Sequence, residues 1–229
     1  MGHLKDFRYE RKFVISELNK FEIEHLIKYH PAMFSEIFYE RNVNNIYFDS
    51  ENLKNYYANL SGDSQRLKIR IRWYGKLFGL IKNPILELKI KENELGRKLS
   101  FPLKNFILDK NFSLEFLQKE VLEKSNLSKW LIEKLRIEQP ILLNTYKRKY
   151  FISADKNYRI TLDEDLVFFK IRNKNNLFNE KITFKSANVL ELKYSCESSN
   201  KAETITNYFP FRLSSISKYA SGIDLLNIY

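Results

Sequence analysis

Residues 66 to 73 read RLKIRIRW, and their side chains alternate in character at every position. The apolar set is Leu67, Ile69, Ile71 and Trp73, and the cationic set is Arg66, Lys68, Arg70 and Arg72. A period of two places successive side chains on opposite sides of an extended chain, so this stretch predicts a β-strand with one buried face and one charged face.

The charged face of this strand needs an opposite charge nearby. Its four cations would stand about 6.6 Å apart, two residues of strand rise. At an effective dielectric near 20, neighbouring pairs would repel by about 2.5 kcal/mol, against about 0.6 kcal/mol in bulk water. Facing carboxylates or a bound anion would relieve this repulsion.

Four further segments predict strands with a charged and a mainly apolar face, namely residues 8–13, 86–91, 158–163 and 190–194. For any one of them, an ordinary sheet with one solvated face explains the pattern equally well. Helices are predicted to begin near Ser16, Glu51, Ser113, Ser128 and Ser214.

Composition indicates a folded chain with an anionic partner. The 229 residues hold 39 Lys plus Arg against 28 Asp plus Glu, a formal charge of +11, and 44% are hydrophobic, enough for a sizeable core. One domain over residues 1–229 is the simplest organisation. Only 6 Gly and 5 Pro argue against collagen-like or linker sequence, and the single cysteine, Cys196, excludes an internal disulfide framework and a multi-cysteine zinc site.

The longest apolar run, residues 166–169, is far shorter than the roughly 20 residues of a membrane helix. The first residues contain no apolar signal-peptide core, so the sequence predicts a cytoplasmic protein without a membrane segment. Glycine-rich phosphate loops of the P-loop and dinucleotide-binding kinds are also absent from the sequence. Side chains would therefore have to bind any phosphate.

Two architectures would use the charged faces. In a closed barrel they converge on one lumen, where cations surround a phosphate chain and Glu10, Glu87 and Glu191 are left to hold a metal. In an open sheet they form a nucleic-acid platform, but single-strand binders also need aromatic rings on the binding face. Tyr9 and Trp73 lie on the faces opposite the charges, so nucleic acid is the less favoured partner.

The motifs in chain order resemble the catalytic VTC domain of vacuolar transporter chaperone polyphosphate polymerases, a family of triphosphate tunnel metalloenzymes related to the CYTH proteins. The resemblance runs from about Arg8 to Ile223 on RYERKFVI, IYFDSENLKNYY, LKIRIRWYG, LELKIK followed by GRK, YKRKYF, YRITLDEDL, VLELKY and SSISKYASGI.

This resemblance implies an α+β fold, a closed antiparallel β-barrel of about eight strands decorated by helices. It implies ATP or another triphosphate as substrate, a divalent cation (Mg²⁺ or Mn²⁺) as cofactor, and transfer of the terminal phosphoryl group to a growing inorganic polyphosphate chain. Two alternatives stay open: an inorganic triphosphatase or nucleotide phosphohydrolase using the same tunnel, and a non-enzymatic polyanion or RNA binder.

The resemblance also implies roles for individual residues. The cations matching the family's motifs, expected to act on the phosphates, are Lys12, Arg70, Arg72, Lys89, Arg148, Arg159 and Lys218. Of these, Arg70, Arg72, Lys89, Arg148 and Arg159 are expected to bind the triphosphate, and Glu191, helped by Glu10, the metal. Eukaryotic members have a second basic residue one turn before the helix lysine, where this chain has Ser215.

Overall fold

The structure is a computed structural model that describes residues 8–92, 95–184 and 187–229. The strands in these ranges are β1 (Arg8–Ile15), β2 (Ser35–Asp49), β3 (Gln65–Tyr74), β4 (Gly79–Ile81), β5 (Ile85–Glu92), β6 (Leu95–Pro102), β7 (Phe106–Leu108), β8 (Gln139–Ile152), β9 (Tyr158–Lys170), β10 (Lys181–Thr183) and β11 (Asn188–Ser195). All five strands predicted from alternation are among them.

The helices in the described ranges are α1 (Lys20–Lys28), α2 (Lys54–Leu60), α3 (Leu114–Phe116), α4 (Lys129–Arg136), α5 (Ser199–Asn207) and α6 (Lys218–Leu225), with α3 running into a π-helical turn, Leu117–Leu122. Helix α1 begins after Asn19 rather than Ser16, because Asn19 and Glu22 cap each other's backbone N–H groups. Helix α6 begins after Ser217, whose hydroxyl accepts from a backbone N–H of the first turn, rather than near Ser214.

One antiparallel sheet forms the frame, in the order β1-β11-β9-β8-β2-β3-β5-β6, with β10 paired to β9. A separate ladder joins β4 to β7. The sheet is strongly curved, because Glu10 on β1 and Lys89 on β5, near opposite ends of the order, meet at 2.9 Å. Among the described residues no ladder joins β1 to β6, so the predicted α+β class is confirmed and the closed barrel stays a prediction.

Helices cover the apolar faces of the strands. The charged faces lie on the other side of the sheet. Ile69, Ile71 and Trp73 of β3 belong to a buried cluster with residues of α4 and the π-helical turn. A second cluster joins β1, β9 and β11 to α1 and α5. Side-chain alternation then turns the cations of β3 to the opposite, inner side of the curved sheet.

Helix α6 is set into the sheet by close packing. It shares a buried cluster with α2 and with β2, β8 and β9, and a Cβ at Gly222 would meet Leu142 Cδ2 at 2.6 Å and Phe168 Cδ1 at 2.7 Å. Only a residue without a side chain fits this approach unchanged. No helix within the described ranges is long and apolar enough to cross a membrane.

Gly222→Ala should therefore lower the free energy of unfolding by about 1–3 kcal/mol, because the added methyl overpacks a contact between fully buried side chains. Urea denaturation measures the change. Ser221→Ala, one residue earlier on the same helix, is the control and should stay within about 0.5 kcal/mol of the parent. Equal stability of Gly222→Ala and the parent would contradict this tight packing of α6.

Candidate active site

Strands β3, β5 and β6 bring three cations to one carboxylate, Glu87. Arg70 donates from Nε and Nη2 to Glu87 Oε2 at 2.8 and 2.6 Å, and Lys98 Nζ lies 3.1 Å from Glu87 Oε1. Arg72 Nη1 is 3.8 Å from the same carboxylate. Burial raises the pKa of Glu87, but Arg70, Arg72 and Lys98 together lower it to about 2. Glu87 is thus an ionised counter-charge that orients the arginine pair.

A second group lies on β8, β9, β11 and α6. Arg148 donates to Asp163 from Nε at 2.5 Å and Nη2 at 2.6 Å, and Lys218 Nζ lies 2.6 Å from Asp163 Oδ2. Glu191 is 3.3 Å from Lys218, 2.9 Å from Lys193 and 3.8 Å from Arg148. Burial disfavours ionised Glu191, yet Lys193 and Lys218 hold its pKa well below the usual range. Both buried carboxylates are therefore charged and neutralised in part.

Tyr146 joins the two groups. Its hydroxyl accepts from Arg72 Nη2 at 3.2 Å, while Arg148 Cζ and Lys218 Nζ lie 5.2 and 5.3 Å from its ring centroid. Burial raises the Tyr146 pKa, but Arg148 and Arg72 outweigh this and lower it. One arginine of β3 and one of β8 therefore contact the same tyrosine, Arg72 at its hydroxyl and Arg148 over its ring.

Charged side chains from β1 and β5, which lie near opposite ends of the strand order, are also in contact. Lys89 Nζ donates to both oxygens of Glu10 at 2.9 and 3.0 Å, and Lys12 Nζ lies 3.9 Å from Glu10. Burial raises the Glu10 pKa, but Lys89 and other lysines lower it to about 2. Lys12 in turn lowers the pKa of Glu191. Charges from β1, β5 and β11 thus share one region.

The N-terminus of α6 faces this region. Lys68 Nζ donates to Ser217 Oγ at 2.7 Å, and Lys12 Nζ donates to the carbonyl of Ile216 at 3.4 Å. Burial, with repulsion from Lys12 and Lys89, lowers the Lys68 pKa to about 7. Lys68 has no carboxylate partner among the described residues, so an incoming anion is the group that would stabilise its charge.

Polyanion affinity should accordingly depend on Lys68. With a pKa lowered to about 7, Lys68 loses its charge gradually as the pH rises from 6.5 to 8.5, so tripolyphosphate should bind more weakly over that range. Calorimetry across this range measures the affinity. The affinity of the variant Lys68→Arg, whose guanidinium stays charged, should change less with pH than that of the parent. Equal slopes for the two proteins would contradict the role of Lys68 and leave only the ligand's own titration.

The cations predicted from the family motifs are brought together with one exception. Arg159 lies on the same face of β9 as Asp163 and opposite Lys193 in register, but it is exposed. Within the described residues its side chain makes no ion pair or hydrogen bond. The structure also shows which side of β8 faces the inner side of the sheet. Arg148 is buried there, whereas Lys147 pairs with Asp165 and Lys149 with Glu24 of α1.

The site holds several charged residues that the motifs did not single out. They are Lys68, Glu87, Lys98, Asp163 and Lys193. Lys68 and Glu87 did appear in the alternation of their strands, and Lys98 stands in the GRK motif. Asp163 and Lys193 also stood on the charged faces of their strands, but the sequence did not show that Asp163 pairs with Arg148 and Lys218, which are distant in the chain.

The acidic residues expected to hold a divalent cation fit that role in part. Glu10 and Glu191 share the inner face of adjacent strands, and the Thr161 hydroxyl, paired in register with Glu191, is buried without a hydrogen-bond partner among the described residues. Within the described residues there is no cluster of three or more His, Cys, Asp or Glu that could hold a metal ion. The set suits Mg²⁺, which commonly takes one or two carboxylates plus substrate phosphates.

The charge of the whole group is strongly positive. Its nine cations are Lys12, Lys68, Arg70, Arg72, Lys89, Lys98, Arg148, Lys193 and Lys218, and its four carboxylates are Glu10, Glu87, Asp163 and Glu191. We call this set the inner charge cluster. The excess of cations in a half-buried region favours a multiply charged anion.

Comparison with known proteins identifies a family and a similar fold. The model of the VTC domain family matches residues 7–227. The fold is similar to that of the PH1819 protein from Pyrococcus horikoshii OT3, with a TM-score of 0.51, 13% identity and coverage of 96% of this chain and 98% of that one. It is also similar to HpAC1 from Hippeastrum, a candidate adenylyl cyclase with a dominant triphosphatase activity, with a TM-score of 0.52, 12% identity and 95% of each chain covered.

At these identities the two structural comparisons concern the fold alone. The family match, in contrast, spans nearly every residue and agrees with the motifs from RYERKFVI to SSISKYASGI. This chain therefore belongs to the VTC domain family.

Proposed function

We propose that the chain is a metal-dependent phosphotransferase that binds ATP in a closed tunnel and transfers its terminal phosphoryl group to inorganic polyphosphate. The observation that carries this is the inner charge cluster, in which seven elements place nine cations around four carboxylates. Phosphoryl transfer depends mainly on positioning and on neutralising charge, so such a cluster supplies what the reaction needs. The contact of Lys89 with Glu10 across the sheet supports closure of the tunnel.

The arginines would bind phosphate oxygens with donors that are still free. A guanidinium carries five N–H donors, and Arg70 uses two of its nitrogens on Glu87 while Arg148 uses two on Asp163. The carboxylates keep the planes fixed, so the remaining donors are already oriented when the triphosphate arrives. Preorganised donors of this kind stabilise charge without reorganisation during the reaction.

The lysines would act as point charges on the transferred group and the acceptor. Lys12 and Lys218 flank Glu191, and Lys218 reaches the site from the first residue of α6, next to Ser217. Arg159, exposed and without a partner in the described ranges, would bind phosphate at the outer end of the face. These roles are part of the proposal.

Glu191, helped by Glu10, would hold the divalent cation. When bound there, a divalent cation would supply positive charge that offsets the charge of the phosphates. The depressed pKa of both carboxyls keeps them ionised at neutral pH, the form that a metal requires.

A second candidate, supported by the structural likeness to HpAC1, is a triphosphatase with water as acceptor. That protein has a dominant triphosphatase activity and covers 95% of this chain. Ser215, in place of the second basic residue of eukaryotic family members, removes one cation from the polymerase pattern and is compatible with this alternative.

Product analysis separates these reactions. The protein is incubated with ATP, or with tripolyphosphate, in the presence of Mg²⁺ or Mn²⁺, and the products are resolved on a gel and assayed for free phosphate. Anionic polymers formed from ATP are the expected result. Free phosphate alone would assign the triphosphatase. Salt-dependent binding of polyanions without turnover under either metal would overturn both enzymatic readings and identify a binding protein.

A further inference from the structure

Two buried side-chain atoms on the inner side of the sheet have no hydrogen-bond partner among the described residues. They are Asn144 Nδ2 and Thr161 Oγ1. Thr161 stands beside Glu191 in register and belongs to the surroundings of the metal ligands described above. Asn144 is fully buried and has no part in the ion pairs of the inner charge cluster. Because an unpaired donor is costly to bury, its NH₂ group requires a partner from outside the described residues.

A chain of hydrogen bonds fixes the orientation of the Asn144 amide. Arg72 Nε lies 2.8 Å from Asn45 Oδ1, and Asn45 Nδ2 lies 2.8 Å from Asn144 Oδ1. A guanidinium can only donate, so Asn45 must present its oxygen to Arg72 and its nitrogen to Asn144. Asn144 must in turn present its oxygen to Asn45. Its NH₂ group is therefore the end that stays free.

The free NH₂ group belongs to the face that carries the inner charge cluster. Asn144 precedes Tyr146 by two residues and Arg148 by four on β8, so alternation places the three side chains on one face. Arg72, which orients Asn144 through Asn45, also donates from Nη2 to the Tyr146 hydroxyl at 3.2 Å. The unpaired donor thus lies next to residues that the proposed function assigns to phosphate binding.

The neighbouring Asn44 shows how a buried amide is paired when its role is structural. Asn44 is also fully buried, but its Nδ2 donates to the Gly75 carbonyl at 3.1 Å and its Oδ1 accepts from the Thr145 hydroxyl at 2.7 Å. Both ends of that amide are paired within the protein. Only one end of the Asn144 amide is, and phosphate oxygens, which accept hydrogen bonds, are the complementary group.

We propose that Asn144 is a substrate-binding residue whose side-chain NH₂ group donates to a phosphate oxygen of the bound triphosphate beside Arg72. This inference rests on the proposed function and adds an uncharged contact to it. Because Asn45 holds the amide in place, the donor is already oriented before the phosphates arrive.

Calorimetric titration with tripolyphosphate tests the assignment without turnover. Asn144→Leu keeps a similar side-chain size and removes the donor, so affinity should fall about 10-fold or more, the usual effect of losing a hydrogen bond to a charged group. Asn44→Leu is the matched control and should keep affinity within about twofold. Thermal melts accompany the titrations, and both variants should melt earlier than the parent, because Asn45 or Thr145 loses a partner.

A measurement on the parent protein needs no substitution and applies even if Asn144→Leu does not fold. In protein labelled with ¹⁵N at asparagine, the side-chain NH₂ protons of Asn144 should shift downfield when tripolyphosphate is added. Those of Asn44, which is paired within the protein, should shift much less.

The outcomes separate this inference from the proposed function. Parent-like affinity of a folded Asn144→Leu, an equal loss of affinity in Asn44→Leu, or an unchanged Asn144 signal at saturation would overturn Asn144 as a phosphate ligand. The inner charge cluster would then still stand as the phosphate site. If the parent protein did not bind tripolyphosphate, the proposed function would be overturned together with this inference.

Discussion

Replacing Arg70 and Arg72 together with alanine should lower kcat/KM for ATP by about 10³-fold or more. Removing a single preorganised donor commonly costs 10² to 10³ in rate, and this variant removes two guanidinium groups that lie on one face and share Glu87. It also leaves Glu87 with Lys98 as its remaining partner, which adds uncompensated negative charge where phosphate should bind. Steady-state kinetics with ATP and Mg²⁺ measure the loss.

The matched control removes the same net charge from outside the site. Arg136 and Arg172 are exposed arginines, each paired with a surface glutamate, Glu123 and Glu180 respectively. The double variant Arg136→Ala/Arg172→Ala should keep kcat/KM within about twofold, since exposed pairs are screened by solvent. Normal turnover by Arg70→Ala/Arg72→Ala, or an equal loss in the control, would refute the assignment of the β3 arginines.

The largest effect on stability is expected at Asp163. This carboxylate is fully buried between Arg148 and Lys218, and Asp163→Asn leaves both cations without their main counter-charge. Breaking a buried pair by removing one partner costs about 3–5 kcal/mol, so the free energy of unfolding should fall by about that amount at pH 7. Urea denaturation followed by circular dichroism measures the change.

The control is Asp165→Asn, on the same strand. Asp165 is exposed and pairs with Lys147 on the other side of the sheet, so its loss should cost less than about 1 kcal/mol. Saturating tripolyphosphate should restore more stability to Asp163→Asn than to the parent protein, because a bound anion replaces the missing charge. Equal stabilisation of both would argue that the phosphates bind away from Arg148 and Lys218.

The dependence of this effect on pH has a defined sign. Burial raises the Asp163 pKa, but Arg148 and Lys218 outweigh it and hold the pKa below its ordinary value. A lowered folded-state pKa stabilises the protein above the unfolded-state value of about 3.9, and that contribution disappears as the pH falls through the folded-state value. The difference between parent and Asp163→Asn should therefore be full at pH 7 and shrink below about pH 4.

Much of the secondary structure followed from local pattern. Alternation along RLKIRIRW predicted β3 and its two faces, and the same rule located four further strands. Helix α5, which the pattern did not predict, has only two buried residues, Ala202 and Thr206, and therefore little periodicity to detect. The start of α1 was misplaced because Ser16 and Asn19 are both suitable caps, and only the reciprocal bond with Glu22 distinguishes them.

The motifs located the cations of the candidate site better than their counter-charges. Arg70, Arg72 and Lys89 could be chosen from the strand pattern and the family resemblance, and all three lie in the inner charge cluster. The ion pairs of Asp163 could not be predicted in this way, since they depend on the register of β9 against β8 and on where α6 docks. The strand pattern placed Tyr9 and Trp73 opposite the charges, and it did not single out Tyr74, which follows Trp73 and lies beside Arg41.

The sequence by itself determined five of the strands in the described ranges and which of their faces carry charge, because a period of two is a property of neighbouring residues. Only the tertiary structure decided that those faces meet, that Arg148 rather than Lys147 or Lys149 points inside, and that α6 delivers Lys218 to Asp163. Those outcomes depend on sheet curvature and register, which are set by contacts between residues far apart in the chain.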